Sequence, residues 1–264
     1  SWTGRSNSKA GKMHELVPIP LWAMVALYAL LLVPSALIWY FQLGVLYRMA
    51  IAVVRMTLQL TVVGVLLIYW FRWDNTWLNL LWVLAMVGFA AGSAIRSSGL
   101  RLRPFFFPVF AALLLSSMAM LLFFNGLLLQ LNDIFSAQYL IIIGGMLLGN
   151  ALKGIVIGLS DFYQRLHEHQ EQYRYYLGAG AEQWEAVVPF FRASLRAALN
   201  PSIASMATMG VVFLPGMMTG QILSGITPST AIRYQLAIMI IIFVCIALSV
   251  CLAVGFSLRR SFDG

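Results

Sequence analysis

Long apolar runs separated by short polar stretches dominate the hydrophobicity pattern of this 264-residue chain. A helix needs about 20 apolar residues to cross a bilayer, and the runs lack the period-two alternation of a barrel strand. The runs that reach or approach this length cover residues 17–41, 49–71, 77–95, 104–131, 137–159, 200–214 and 236–258. The pattern therefore predicts an all-α polytopic membrane protein with about seven transmembrane helices.

The run at 200–214 is the weakest of the seven. It is short, it begins at Asn200 and Pro201, and it ends in Leu214, Pro215 and Gly216. Proline and glycine interrupt helices, so this run either spans the membrane or only dips into it. The count of seven helices rests on the first alternative.

The chain divides into a polar start and a single membrane domain. Residues 1–12, SWTGRSNSKAGK, are rich in small polar residues and differ abruptly from the apolar sequence that begins soon after Met13. They resemble an expression-tag remnant, so residues 13–264 are interpreted as a single transmembrane domain. Within it, the polar and amphipathic stretch at 161–199 predicts a cytoplasmic segment.

Composition and charge agree with a membrane protein and predict its orientation. Only 10% of the residues are charged, against about 25% in soluble domains. The net charge of +8 comes from basic residues in short loops beside apolar runs, which is typical of topology signals and not of nucleic-acid binding. The positive-inside rule predicts an outside N-terminus and a cytoplasmic C-terminus, because that orientation places most arginines inside: Arg48, Arg96, Arg101, Arg103, Arg165, Arg174, Arg192, Arg196, Arg259 and Arg260.

The most informative polar segment covers residues 175–201. Apolar residues recur there at spacings of three and four and define one helix face: Trp184, Val187, Val188, Phe191, Leu195 and Leu199. Gly178 is expected to end a preceding helix in a left-handed conformation, and Gly180 to cap the next helix with Gln183 as the capping-box side chain. Pro189 is expected to kink or split that helix. The segment is either an interfacial helix lying on the bilayer or a helix that docks on a cytoplasmic partner.

Several short motifs, densest between about residues 45 and 240, carry a family resemblance. They are Arg55, Gln59 and Gly64; Gly145, Met146, Gly149, Asn150 and Ala151; Leu177, Gly178, Ala179 and Gln183; Arg192, Ser194, residues 196–199 and Pro201; residues 214–218 (LPGMM), Gly220 and Gly225; and Ala231, Ile232, Tyr234 and Gln235. With these motifs the chain resembles FetB-type permeases, a family associated with iron export whose plant relatives are linked to aluminium tolerance. Residues 175–201 resemble the coupling segment of ABC-transporter permeases, although Gly180 and Ala181 replace the Thr-Pro type of helix start expected there.

The resemblance implies the membrane subunit of an ABC transporter in a bacterial inner membrane. Two copies of the chain would form the path, and separate cytoplasmic ATPase subunits carrying ATP and Mg would drive export of a metal, with iron as the expected substrate. The chain has no G-x-x-x-x-G-K-[ST] phosphate loop, so no ATP hydrolysis and no cofactor are expected in it. The residues expected to contact the ATPase are Gly178, Ala179, Gln183, Trp184, Val188, Arg192 and Arg196. The alternative is an ATP-independent channel or secondary transporter, which the lack of a carboxylate pair inside a run disfavours.

Polar residues inside the apolar runs are candidates for the translocation path. Arg55 and Gln59 lie one turn apart in the second run, and an intramembrane arginine either snorkels to the interface or serves an anion site or gate. Asn150 lies among the glycine pairs Gly145/Gly149 and Gly154/Gly158, which predict close helix packing, a path lining or the seam between two copies of the chain.

The run LPGMM is the strongest candidate for a functional break in a helix. Pro215 and Gly216 interrupt the helix, and broken helices often line transporter sites. Met217 and Met218 offer thioethers, which suit soft metals better than iron and also serve as adaptable packing. His167 and His169 resemble metal ligands, but their spacing favours a solvated face. No metal site is assigned from the sequence.

Overall fold

The computed structural model describes residues 19–73, 75–131 and 133–262, so the tag-like residues 1–12 lie outside the described part. Within these ranges every regular element is a helix. The helices are α1 (Leu21–Leu30), α2 (Leu32–Tyr40), α3 (Leu46–Trp73), α4 (Thr76–Ser97), α5 (Leu102–Leu122, continued by a π-helical turn at Phe123–Leu128), α6 (Ala137–Glu168), α7 (Gln170–Gly178), α8 (Gln183–Thr208), α9 (Gly216–Leu223) and α10 (Pro228–Phe262).

Six helical stretches of the described chain are long and apolar enough to cross a membrane, which confirms the all-α polytopic class. They are Leu21–Tyr40, Leu46–Trp70, Thr76–Ser97, Leu102–Leu128, Ala137–Glu168 and Pro228–Arg259. The expected run at 200–214 is not among them, because residues 200–208 continue α8 and residues 209–215 are not helical. A seventh independent transmembrane helix is therefore absent from the described residues.

The first compact unit contains the described residues 19–73 together with 219–228. No residue of α1 or α2 is buried. The hydroxyl oxygens of Tyr28 on α1 and Thr57 on α3 lie 2.7 Å apart, so the Thr57 face of α3 points towards α1. Since successive helical residues are about 100° apart, Arg55 and Gln59 lie on the opposite face of α3, and both are exposed.

The second compact unit contains the described residues of 74–218 and 229–264. Its helix α6 packs against α4, α5 and α8, and the fully buried side chains at these contacts include Val87, Leu113, Ile155 and Phe162. The core is therefore arranged around α6, which supplies small and apolar residues on several sides.

Helix α10 packs against α6 at one of the two predicted glycine pairs. A methyl group at Gly154 would lie 2.5 Å from Cγ2 of Ile246, and one at Gly158 would lie 2.7 Å from Cγ1 of Val250. These two contacts show that the helices touch here with their backbones close together and run in the same direction. The prediction of close packing is confirmed for this pair. The other pair makes no such approach, because Gly149 has open space around it and a methyl group at Gly145 would lie 3.4 Å from Cε of Met86.

Helix α8 runs antiparallel to α6. The ring of Phe190 contacts the ring of His169 just beyond the end of α6, and Cβ of Ala198 lies close to Gly158, further back along α6. Because α6 and α10 are parallel, the chain between them returns along the bundle. Helix α8, about 39 Å long at 1.5 Å per residue, makes most of that return.

Candidate functional site

The second unit has one end rich in arginine. Hydrogen bonds place the C-termini of α4, α6 and α10 at the same end, since Ser98 Oγ donates to the Val156 carbonyl and Tyr163 Oη donates to Ser257 Oγ. We call it the basic end. The described arginines near it are Arg96, Arg101, Arg103, Arg165, Arg174, Arg192, Arg196 and Arg259, whereas Arg233 lies near the opposite end.

A helical corner formed by α7 and the first two turns of α8, residues 170–188, lies at the basic end. Helix α7 ends in a Schellman motif, in which the Gly180 amide donates to the Leu177 carbonyl and the Ala181 amide to the Tyr176 carbonyl. Gly180 has the positive φ of 90° that this motif requires. The expectation that Gly178 takes the left-handed conformation is wrong by two residues, because Gly178 is the last helical residue.

The start of α8 also differs from the sequence prediction. Its N-cap is Glu182, and Glu185 completes a capping box in which its carboxylate accepts a 3.0 Å hydrogen bond from the Glu182 amide. The predicted cap, Gly180 with Gln183, is wrong because Gly180 already serves the end of α7. The two motifs adjoin, so hydrogen bonds close the turn between α7 and α8 on both sides.

The buried face of α8 attaches the corner to the rest of the second unit. This face consists of Ala186, Val187, Phe190, Ser194 and Ala198. It is rotated from the predicted apolar face, because Trp184 is 51% exposed and Val188 is only half-buried. Helix α8 continues without a break through Pro189 and Pro201, both of which are exposed. The predicted split of the helix is therefore not found.

Most residues expected to contact an ATPase are exposed, either at this corner or on the next turns of α8. Gly178, Ala179, Gln183, Trp184, Arg192 and Arg196 are exposed, and Val188 is half-buried. Trp184 rests with its ring 5.7 Å from that of Phe191, so its position is defined although half of its surface is free. A cavity of about 460 Å³ lies next to the corner, lined by Tyr163, Leu166, His167, Gln170, Tyr173 and Arg174.

The structure has a helix break at 209–215, and the predicted position, Pro215 and Gly216, lies at its end. Helix α8 ends at Thr208, Gly210 adopts a φ of 85°, and α9 begins at Gly216. The Gly210 amide donates to the Phe213 carbonyl at 2.9 Å, which closes a tight turn. Beyond the turn Pro215 is half-buried.

The two methionines at the start of α9 are both packed against other side chains. Met218 is buried, and Met217 packs against the apolar core of the second unit. Both are therefore in packing environments. The described residues contain no group of three or more His, Cys, Asp or Glu that could hold a metal ion, and His167 and His169 are both exposed.

The remaining path candidates lie in different surroundings. Asn150 donates its side-chain amide to the carbonyl of Met146 in its own helix at 2.8 Å, so in the described chain it bonds within α6. Arg55 and Gln59 lie one turn apart on the exposed face of α3. The structure therefore brings Arg55 and Gln59 together as a pair, and it places Asn150 in the other compact unit.

Three structurally important residues escaped the sequence analysis. Glu182 and Glu185 build the start of α8, but glutamate is not among the preferred N-cap residues. Phe190 is the aromatic anchor of α8, and its position one residue before the predicted Phe191 concealed it. A glutamate pair three residues apart before an apolar run was the available signal for the cap.

The geometry and composition define an all-α, polytopic integral membrane protein with an exposed helical corner. The chain belongs to the family described as Uncharacterised protein family (UPF0014), whose model matches residues 21–262. The resemblance to FetB-type permeases is thereby confirmed, since one of the similar proteins bears that name.

Three relatives illustrate the range of this family. The UPF0014 membrane protein YjkA of Bacillus subtilis is 34% identical over 75% of this chain and 78% of its own. The Probable iron export permease protein FetB of Escherichia coli is 32% identical over 79% of each chain. Protein ALUMINUM SENSITIVE 3 of Arabidopsis thaliana is 30% identical over 73% of this chain and 69% of its own. No solved structure matches the chain.

Proposed function

We propose that this chain is the membrane subunit of an ABC transporter and that a separate cytoplasmic ATPase drives it. The α7–α8 corner is the single observation that carries the proposal. It is a helix–turn–helix at the basic end whose turn is closed by the Schellman motif and the capping box, it presents exposed residues such as Gln183 and Trp184, and it leads directly into α8. A force applied to the corner is therefore transmitted along a continuous helix into the bundle.

In this proposal the basic end faces the cytoplasm of a bacterial inner membrane. The arginines of the second unit cluster there, and the positive-inside rule places such clusters on the cytoplasmic side. The C-terminus of α10 is at the same end, next to Tyr163. This orientation gives a cytoplasmic C-terminus, and an outside N-terminus belongs to the same proposal.

The proposed complex contains two copies of the chain and two ATPase subunits that hold ATP and Mg. The wide exposure of α1, α2 and α3 leaves ample apolar surface for lipid and for a second copy. Iron export is the proposed activity because a relative that shares 32% identity carries that name. Export driven by ATP requires that the ATPase binds the corner differently in the inward-facing and outward-facing states.

The test is purification from the native host in a mild detergent, followed by mass spectrometry for a P-loop ATPase present in equal amount. Trp184→Ala should reduce the recovered ATPase about tenfold or more, because an interface tryptophan often dominates binding. Gly178→Leu should act in the same direction, since a Cβ at Gly178 would meet no atom of the chain within 4 Å and the larger side chain would extend into the docking surface.

The matched control is Trp77→Ala. Trp77 is 81% exposed and lies in the first turn of α4, away from the basic end, so its removal should leave ATPase recovery unchanged. Equal recovery with Trp184→Ala, Gly178→Leu and Trp77→Ala would contradict the assignment of the corner. An oligomer that never retains an ATPase would favour an ATP-independent channel or secondary transporter.

A further inference from the structure

The face of α3 that carries Arg55 presents two polar side chains on an otherwise apolar candidate membrane span. Arg55 and Gln59 occupy the side of α3 opposite Thr57, the residue that contacts α1. Both are exposed, and neither has a hydrogen bond or ion pair to another described residue of the chain. The guanidinium group and the amide of this pair are therefore available to a ligand.

Arg55 lies too deep along α3 to be an ordinary interfacial arginine. Arg48 lies near the start of α3, and Arg55 is about 10 Å further along the axis at 1.5 Å per residue. Both lie on the same candidate membrane span, Leu46–Trp70. A charge at such depth needs water or a counter-charge. Arg55 therefore requires a negatively charged partner or access to water.

The described part of the compact unit that contains Arg55 offers it no carboxylate. None of the nine Asp and Glu residues falls within 19–73 or 219–228, the described part of its compact unit. Of the acidic residues in the candidate spans, Asp161 and Glu168 lie in the last two turns of α6, and Asp161 is paired with Arg165. A second copy of the chain therefore also lacks a carboxylate in the middle of a candidate span.

We propose that Arg55 and Gln59 form an anion-binding position and that the transported species is an anion. If the cargo is a metal, it crosses as a complex whose carboxylate ligands give it a negative charge. This inference rests on the proposed function, because it takes the exposed face of α3 to line the path. A guanidinium group repels a bare metal cation, but it donates two parallel hydrogen bonds to a carboxylate. The Gln59 amide, one turn away, can donate a third.

The first experiment measures binding by the full-length chain without any ATPase. Thermal unfolding of the purified protein is compared in sodium citrate and in sodium chloride of equal ionic strength. Citrate should raise the midpoint of the wild type and of Arg48→Gln. Arg55→Gln should lose this rise, whereas Arg55→Lys should keep part of it because the charge remains. Since Arg55 is exposed, its replacement should leave folding intact, which the midpoint in chloride verifies.

Two results would overturn the inference. A citrate effect that is equal in the wild type and Arg55→Gln would show that Arg55 does not hold the anion. The other result is that phosphatidylglycerol in bilayer discs stabilises the protein, that citrate does not, and that Arg55→Gln removes the lipid effect. Arg55 would then be assigned to a lipid phosphate.

A second experiment measures transport by the chain together with its co-purified ATPase in proteoliposomes. Radioactive iron should move when supplied as ferric citrate, and it should not move as ferrous ion kept reduced by ascorbate. Movement of the ferrous ion alone would overturn the anionic cargo. Because the binding experiment needs no ATPase, an Arg55-dependent citrate effect without ATPase recovery would refute the proposed function while the anion site stands.

Discussion

At the residue scale, Gly154 and Gly158 set how closely α6 and α10 approach. Their spacing predicted close packing, and the same spacing at Gly145 and Gly149 predicted it equally. The pairs differ because only the first faces the branched side chains of Ile246 and Val250. Sequence spacing shows that a helix has a small face, but it does not show which helix lies opposite.

We expect Gly154→Ala to destabilise the protein by about 1–3 kcal/mol, the usual cost of overpacking a filled core. The new methyl group would lie 2.5 Å from Cγ2 of Ile246. Thermal unfolding in detergent measures the effect. Gly149→Ala is the control, since its methyl group meets nothing, and it should not lower the midpoint. In the background of Ile246→Ala, Gly154→Ala should lower the midpoint less than in the wild type, and an equal loss in both backgrounds would contradict the contact.

Gly180 is the residue whose backbone conformation holds the corner in shape. Its φ of 90° lies in the left-handed region, which favours glycine because other L-residues are strained there by about 1–2 kcal/mol. We expect Gly180→Ala to speed hydrogen exchange at the amides of residues 180 and 181 about 5–30-fold, which corresponds to that energy. Gly178→Ala should not, since Gly178 is helical with open space around it. Equal exchange in both variants would contradict the Schellman motif.

At the element scale, the sequence predicted the break between α8 and α9 but not the register of the corner. Pro215 and Gly216 predicted a break nearby, but α8 already ends at Thr208 and Gly216 begins α9. At the corner, Gly178 and Gly180 are two residues apart and either can end a helix. Which of the two glycines ends α7 depends on Glu182 and Glu185, because their capping box starts α8 directly after Ala181.

The prolines of α8 show a further limit of local rules. Pro189 and Pro201 each remove an intrahelical hydrogen bond, yet the helix continues through both. Both prolines are exposed, so the helix face they occupy is not the one packed on α6. The buried residues Phe190 and Ala198 hold α8 in place beside each proline, and this tertiary packing outweighs the local preference to break.

At the scale of the whole molecule, the count of spans and the number of passes along the bundle are different quantities. Six helical stretches of the described residues are apolar enough to cross a membrane by themselves. The parallel packing of α6 and α10 nevertheless requires the chain between them to return, as the weak run at 200–214 suggested. Composition could not settle this, because α8 has one face covered by α6 and needs less apolarity than an isolated helix.

Site-directed labelling in intact cells tests the proposed orientation. We expect a membrane-impermeant maleimide added outside to modify Ser229→Cys, at the start of α10, and to leave Gln172→Cys on α7 unmodified until the membrane is opened. Both positions are exposed. The background carries Cys245→Ala and Cys251→Ala, which remove the two native thiols. Labelling of Gln172→Cys from outside would contradict the proposed orientation and place the basic end of the second unit outside.

The parallel course of α6 and α10 also constrains how a growing chain enters the membrane. Helix α8 does not meet the length and apolarity of an independent span, so a translocon would release it at the interface and not across the bilayer. Its passage along α6 then depends on packing against α6, which is already in place when α8 emerges. We therefore expect α8 to reach its position in the bundle by helix packing after its own synthesis, and not by direct insertion across the bilayer.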